Sequence, residues 1–227
     1  MKQIYDGKTK IVYELDNGNY MLQFKDDACG KDGVFDPGEN QIGLTIDGKG
    51  KAGLQLTDFF FKKINAAGFP THFIDCDIEK AQMTVRPATM FGKGIEVVCR
   101  YRATGRFIRR YGDYITDGTP LDALVEITLK DDVRCDPLIT RESLTALGIL
   151  TAEEHDTLAT LVKNIAGIIK RECEKKDLEL FDLKLEFGRD KDGQIMLIDE
   201  VSGDIMRVFD KRGNPVNPID LTAILVN

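Results

Sequence analysis

Tryptophan is absent from this 227-residue chain, and histidine occurs only twice. The five cysteines, at 29, 76, 99, 135 and 173, are odd in number, widely spread and never paired as Cys-x-x-Cys. That spacing supports neither a zinc site nor a disulfide framework, and it fits a reducing cytoplasm. With so few histidines, a Cys/His nucleophile site is not expected either. No apolar run approaches the ~20 residues that span a bilayer. The opening Met1-Lys2-Gln3-Ile4-Tyr5-Asp6 lacks the apolar stretch of a signal peptide. An excess of positive charge is missing as well. The net charge is −7 and the pI about 5.0, which argues against nucleic acid or a membrane surface as partner.

What remains is the composition of a globular protein, 42% hydrophobic and 30% charged, long enough for two lobes sharing a cleft. Ile11-Val12-Tyr13 is β-prone, and Asn17-Gly18 supplies a hairpin turn before Tyr20–Phe24. Residues 29–53, rich in Gly, Asp and Lys, read as a long loop. A helix is expected from Leu54 to Ala67, ended by Gly68 and Pro70, with strands near 71–78, 81–87 and 95–102. Over 151–175, Thr151 and Glu154 form a capping box. Leu158, Leu161, Val162, Ile165, Ile168 and Ile169 then follow at helical spacing as core residues. A hairpin at 181–200 precedes a tail containing Pro and Asn. Strands and helices without regular βαβ alternation make the fold class α+β. A division near residue 80 separates a strand-rich lobe, 1–80, from a larger α+β lobe, 81–227.

The hairpin carries the clearest chemistry. Phe181, Leu183, Leu185 and Phe187 alternate with Asp182, Lys184 and Glu186, so the polar residues share one face. A two-residue turn on Asp192-Gly193 sets Glu186 opposite Asp199; a four-residue loop sets Lys184 there. Either register gathers Lys184, Glu186 and Asp199 roughly 5–8 Å apart. Such a face suits a Mg²⁺ ion bridging the carboxylates and a nucleotide phosphate, and equally suits a solvated face with an ordinary salt bridge. Gly7-Lys8-Thr9-Lys10 puts two lysines on one side of a strand beside a flexible glycine, without the Walker A spacing. Arg100, Arg102, Arg106, Arg109 and Arg110 crowd one segment, with Arg207 further on. They form either an anion site or a surface cluster balanced by acids. His72 reads as a satisfied structural histidine.

Taken in order, these segments resemble the SAICAR synthetase (phosphoribosylaminoimidazole-succinocarboxamide synthase) family from Tyr5 to about Asp210. Leu180-Phe181-Asp182-Leu183-Lys184-Leu185-Glu186-Phe187-Gly188 carries most of the likeness. Asp199-Glu200-Val201-Ser202 and Arg207-Val208-Phe209-Asp210 follow it. The resemblance implies a two-lobed fold with an ATP-grasp/kinase-like nucleotide cleft. It implies a cytoplasmic ligase of purine biosynthesis that uses ATP and Mg²⁺. The carboxylate of carboxyaminoimidazole ribotide would be activated as an acyl phosphate and joined to L-aspartate. By position, Lys8, Lys10 and Lys184 would hold ATP phosphates, and Glu186 and Asp199 the Mg²⁺. Lys184, Glu186 and Asp199 would serve catalysis, and Arg100, Arg106 and Arg207 the ribotide. A homo-oligomer is left open.

Several positions depart from the family pattern. Gly94 replaces a proline, Arg106 a phosphate-binding serine, Gly53 an asparagine and Gly203 the proline of Ser-Pro-Asp. The long C-terminal helix expected of the family does not precede Asn227. A divergent paralogue joining another acid and amine, a small-molecule kinase with the same Mg-ATP site, and a non-catalytic nucleotide binder are the alternatives.

Overall fold

The structure, a computed structural model, describes residues 1–39 and 41–226. Strands β1 (Lys2–Asp6), β2 (Lys10–Glu14) and β3 (Tyr20–Phe24) open the chain, with Gly18 in the left-handed turn between the last two. The stretch expected to be one long loop instead holds β4 (Asp27–Lys31), β5 (Val34–Phe35), β6 (Ile42–Thr45) and the start of α1 (Lys49–Ala66). This helix begins at Lys49, not Leu54, because its cap comes from a distance. The Asp26 carboxylate accepts from Gly48 N at 3.1 Å and Gly50 N at 2.8 Å, satisfying backbone donors that the helix leaves unpaired.

Next come β7 (Phe73–Asp77), β8 (Gln82–Val85), β9 (Thr89–Met90), β10 (Ile95–Arg102), α2 (Arg106–Tyr111) and β11 (Pro120–Leu129). Then follow α3 (Arg141–Ala146), α4 (Ala152–Glu174), β12 (Leu178–Arg189), β13 (Ile195–Ile198), β14 (Met206–Asp210) and α5 (Pro218–Val226). The final segment, read as a tail, is thus partly helical and packs on α1.

Among the described residues the strands form three antiparallel sheets. One runs β1-β2-β3-β8-β7 and another β11-β10-β12-β13, with β14 and β9 also paired to β12; β5-β4-β6 is a small third. Residue 80 falls between β7 and β8, neighbours in one sheet. A single apolar core joins the two larger sheets. Phe60, Phe61 and Ile64 of α1 meet Leu22 and Phe24 of β3, Val162, Ile165 and Ile169 of α4, and Leu183, Leu185 and Phe187 of β12. No helix among the described residues is long and apolar enough to cross a membrane.

The start of α4 forms as its residues dictate. Glu154 N donates to Thr151 Oγ1 at 3.1 Å, and Thr151 N to Glu154 Oε2 at 2.9 Å. Thr151→Ala removes one side of the box and is expected to cost about 1 kcal/mol. A urea unfolding curve shifted to a lower midpoint with unchanged slope reads this out.

Candidate active site

Alternation in three adjacent strands builds the floor of the cleft. Thr128 of β11 faces Glu96 of β10, which faces Glu186 of β12; Glu126 pairs with Val98, and Val98 with Lys184; Arg100 pairs with Asp182. Directly opposed residues of an antiparallel pair share a face. A polar sheet face therefore results, with the core on the other side.

The β12–β13 hairpin uses neither expected register. Arg189 pairs with Ile195, leaving a five-residue loop, 190–194, and setting Ile198 opposite Glu186. The loop is held by Asp190, whose carboxylate accepts from Asp192 N and Gln194 N at 2.9 and 2.8 Å. An extended Asp199 would then point into the core. It does not, because its backbone turns left-handed, φ 64, a conformation aspartate tolerates better than most residues. Glu186 and Asp199 consequently line one cavity of about 370 Å³, together with Lys8, Lys10, Lys130 and Lys184.

Lys8, Lys10, Lys130 and Lys184 in this cavity each have an acidic partner. Lys130 Nζ lies 2.7 and 2.9 Å from the two Glu186 oxygens. Lys10 Nζ lies 3.1 Å from Asp199 Oδ1 and is also paired with Glu200. Lys184 Nζ is 2.7 Å from Glu96 Oε1, Lys8 Nζ is 2.6 Å from Asp132, and Lys49 pairs with Asp204. Burial pushes the Glu186 carboxyl above the usual range against the pull of Lys130, and the Asp199 charge adds to the rise. Burial also acts on Asp199, but Lys10 and then Lys130 more than offset it, and that group lies below its ordinary value. The buried oxygens Glu200 Oε2 and Asp204 Oδ1 have no hydrogen-bond partner. His72 is the satisfied buried histidine expected, its Nε2 lying 3.1 Å from the Asp199 carbonyl oxygen. Burial pushes its imidazole down to about 4, so it is neutral near pH 7.

A smaller cavity of about 50 Å³ adjoins the first, sharing Glu96, Asp136 and Lys184, and is lined by Arg100, Arg106, Arg110 and Arg207. Arg102 turns away to Glu179 and the Gly118 carbonyl. Arg100 is a buried hub: its Nε is 2.7 Å from Glu126 Oε2, and its Nη1 pairs with Asp182, which also accepts from Arg207 at 3.0 Å. The segment 36–39 covers this pocket. Asp36 Oδ1 lies 2.7 Å from Arg207 Nη2, and Arg106 Nε donates to the Gly38 carbonyl at 2.8 Å. Gly105, at φ 54, lets the Arg207 guanidinium lie on the backbone, since a Cβ there would come within 2.7 Å of it. Asp36 thus sits where an anionic ligand of Arg207 would sit. Asp36→Asn keeps the shape, removes the charge and is expected to tighten inorganic phosphate binding about three- to fivefold in calorimetry. Unchanged affinity would remove Arg207 from anion binding.

A family model described as SAICAR synthetase matches residues 3–220. The chain belongs to the SAICAR synthetase family. It is 53% identical to the phosphoribosylaminoimidazole-succinocarboxamide synthase of Clostridium tetani over 227 residues, all of both chains. To that of Finegoldia magna it is 36% identical over 216 residues, covering 94% of this chain and 88% of the relative. Among solved structures, a SAICAR synthetase in complex with ADP superposes with a TM-score of 0.84 at 31% identity, over 95% of this chain and 88% of that one. The Ehrlichia chaffeensis enzyme gives 0.85 at 29% identity, over 95% and 89%.

Within this SAICAR synthetase fold, Lys8, Lys10, Lys184, Glu186 and Asp199 share one cavity, and Arg100, Arg106 and Arg207 share the next. Lys130, Glu96 and Lys49 were given no site role in sequence. A signal existed for the first two: Glu126, Thr128 and Lys130 alternate along and just beyond β11, as Glu96, Val98 and Arg100 do in β10. Lys49 offered none beyond its glycine-flanked setting. Two of the four departures have packing reasons. A Cβ on Gly203 would lie 2.6 Å from Pro218 Cα at the start of α5. Gly94 has φ 115, which a proline cannot adopt, and its Cβ would press on Lys130 at 2.9 Å.

Proposed function

We propose that the chain joins the carboxylate of carboxyaminoimidazole ribotide to the amino group of L-aspartate, with ATP converted to ADP and phosphate. What supports the reading is the continuity of the two cavities. A lysine-rich chamber suited to a polyphosphate opens onto an arginine-lined pocket suited to a phosphorylated acid, with Lys184 and Glu96 in both walls. The carboxylate oxygen attacks the γ-phosphorus, the bond to the ADP oxygen breaks, and the acyl phosphate forms. The deprotonated aspartate amine then attacks the acyl carbon and phosphate leaves. Lys8, Lys10 and Lys184 neutralise the phosphates, and Arg106 and Arg207 orient the acid. Phosphoryl transfer responds mainly to such positioning and charge neutralisation.

Glu186 and Asp199 would hold Mg²⁺. The donor set fits: two carboxylates face one cavity, and Glu186 is raised by burial and by its neighbour's charge, a condition a dication relieves. Among the described residues no cluster of three His, Cys, Asp or Glu stands ready for a metal, so waters and phosphates would complete the shell. The ion would supply charge neutralisation at the transferring phosphoryl group. Lys130 and Lys10, which now balance these carboxylates, are the side chains an entering cation displaces.

The test is incubation with Mg-ATP, the ribotide and aspartate, following ADP and the coupled product. ADP release requiring both acid and amine is expected. Release requiring the acid alone would indicate a kinase. Bound ATP without turnover would indicate a different acid, and Arg106→Ser would then be the first variant to screen for altered acid selectivity.

A further inference from the structure

His72 does not itself line the cavity that the proposed chemistry uses, and it is 4% exposed and held from several sides. Its backbone is clamped to the edge of β13. Leu197 N donates to the Pro70 carbonyl at 3.0 Å, His72 N donates to the Leu197 carbonyl at 2.9 Å, and Arg86 N donates to the His72 carbonyl at 2.7 Å. Thr71 bridges Leu197 in parallel. The ring packs edge-on against Phe61, centroids 5.7 Å apart. Its Nε2 lies 3.1 Å from the Asp199 carbonyl oxygen. A carbonyl oxygen only accepts, so Nε2 carries the hydrogen.

That carbonyl belongs to the residue whose backbone decides the site. The strand register leaves Asp199 one step past Ile198, which shares the cleft face with Glu186. Continued as a strand, the chain would send the Asp199 carboxylate into the core. The left-handed turn, φ 64, brings it instead to Lys10 at 3.1 Å. Such a turn is uphill for an L-residue. It persists when neighbouring groups hold it.

We propose that His72 is a positioning residue: its Nε2–H holds the Asp199 carbonyl and so locks the turn that aims the Asp199 carboxylate at Lys10 and at a divalent cation. The cation in this statement rests on the metal assignment made above, and the experiment separates the two.

Mn²⁺ binding is measured by electron paramagnetic resonance in saturating ADP for the wild type, His72→Phe, His72→Gln and Asp199→Asn, with metal-free ADP affinity measured alongside. Phe keeps the ring contact and loses the donor; the Gln amide reaches about as far as Nε2. His72→Phe is expected to weaken Mn²⁺ about 10- to 100-fold, as loss of a ligand's supporting hydrogen bond does. Metal-free ADP affinity should stay unchanged, and His72→Gln should recover most of the loss. Wild-type Mn²⁺ affinity in His72→Phe beside a weakened Asp199→Asn overturns the positioning role alone. Wild-type affinity in Asp199→Asn overturns the metal assignment and this proposal with it. A folded His72→Gln as weak as His72→Phe, or an equal loss of metal-free ADP binding, also overturns it. If His72→Phe does not fold, His72→Met carries the same comparison.

Discussion

Glu186→Gln and Asp199→Asn are each expected to lower Mg²⁺-dependent ADP release about 10²- to 10³-fold, the scale on which removing one charge-stabilising group acts in a preorganised site. Both changes keep shape and remove one charge. Asparagine accepts the left-handed backbone that Asp199 requires, so φ 64 survives the substitution. Lys10 retains Glu200 when Asp199 is neutral. Lys130, released by Glu186→Gln, is 40% exposed at its side chain and can turn to water. The fold should therefore hold in both variants while turnover falls. Steady-state ADP release against Mg²⁺ concentration, with thermal melts of the same samples, checks this. Wild-type turnover in either variant would remove that carboxylate from the metal role.

Arg100→Met is expected to cost about 3–5 kcal/mol of stability, the range for breaking a buried ion pair from one side. Arg100 is 4% exposed and lies between Glu126 and Asp182, both buried. Its removal leaves two carboxylates desolvated. Each keeps one other arginine, Arg110 for Glu126 and Arg207 for Asp182, which places the cost at the lower end. Adding Asp182→Asn to Arg100→Met should restore part of the loss, because it removes a stranded charge. Denaturant unfolding of the two variants decides it. A loss below 1 kcal/mol for Arg100→Met would show that the hub is well hydrated in solution. Arg100, expected to bind the ribotide, lines the arginine pocket and is at the same time buried between two acids that it shares with Arg110 and Arg207.

Helix α4 could be read from the sequence because its cap, its period and its core stripe all lie within one continuous stretch. The polar face of β12 was legible for the same reason: alternation is a local property. The start of α1 was not, since Asp26 caps it from across a small sheet. The meeting of Glu186 with Asp199 was expected, but through the wrong geometry. Asp190 closes a five-residue loop that shifts the register by one, and the turn at Asp199 reverses the consequence. The SAICAR synthetase resemblance supplied the family, which local chemistry alone left open between a metal face and a solvated one. It also marked Gly203 as a departure from the family pattern. Its contact with Pro218 ties that change to α5. Arg106 is different: it lies in the arginine-lined pocket itself, 3.0 Å from Asp136.

The pairing of Lys8, Lys10, Lys130 and Lys184 with acids has a consequence for ionic strength. At these paired cations a ligand anion exchanges places with carboxylates, such as Asp132 on Lys8 and Asp36 on Arg207. Added salt screens the incoming contact and the outgoing one alike, most strongly where both lie near solvent. Affinity for phosphorylated ligands should therefore fall with salt less steeply than the number of cations in the cleft would imply. The protein's own acids act as internal counterions, held in place by the fold.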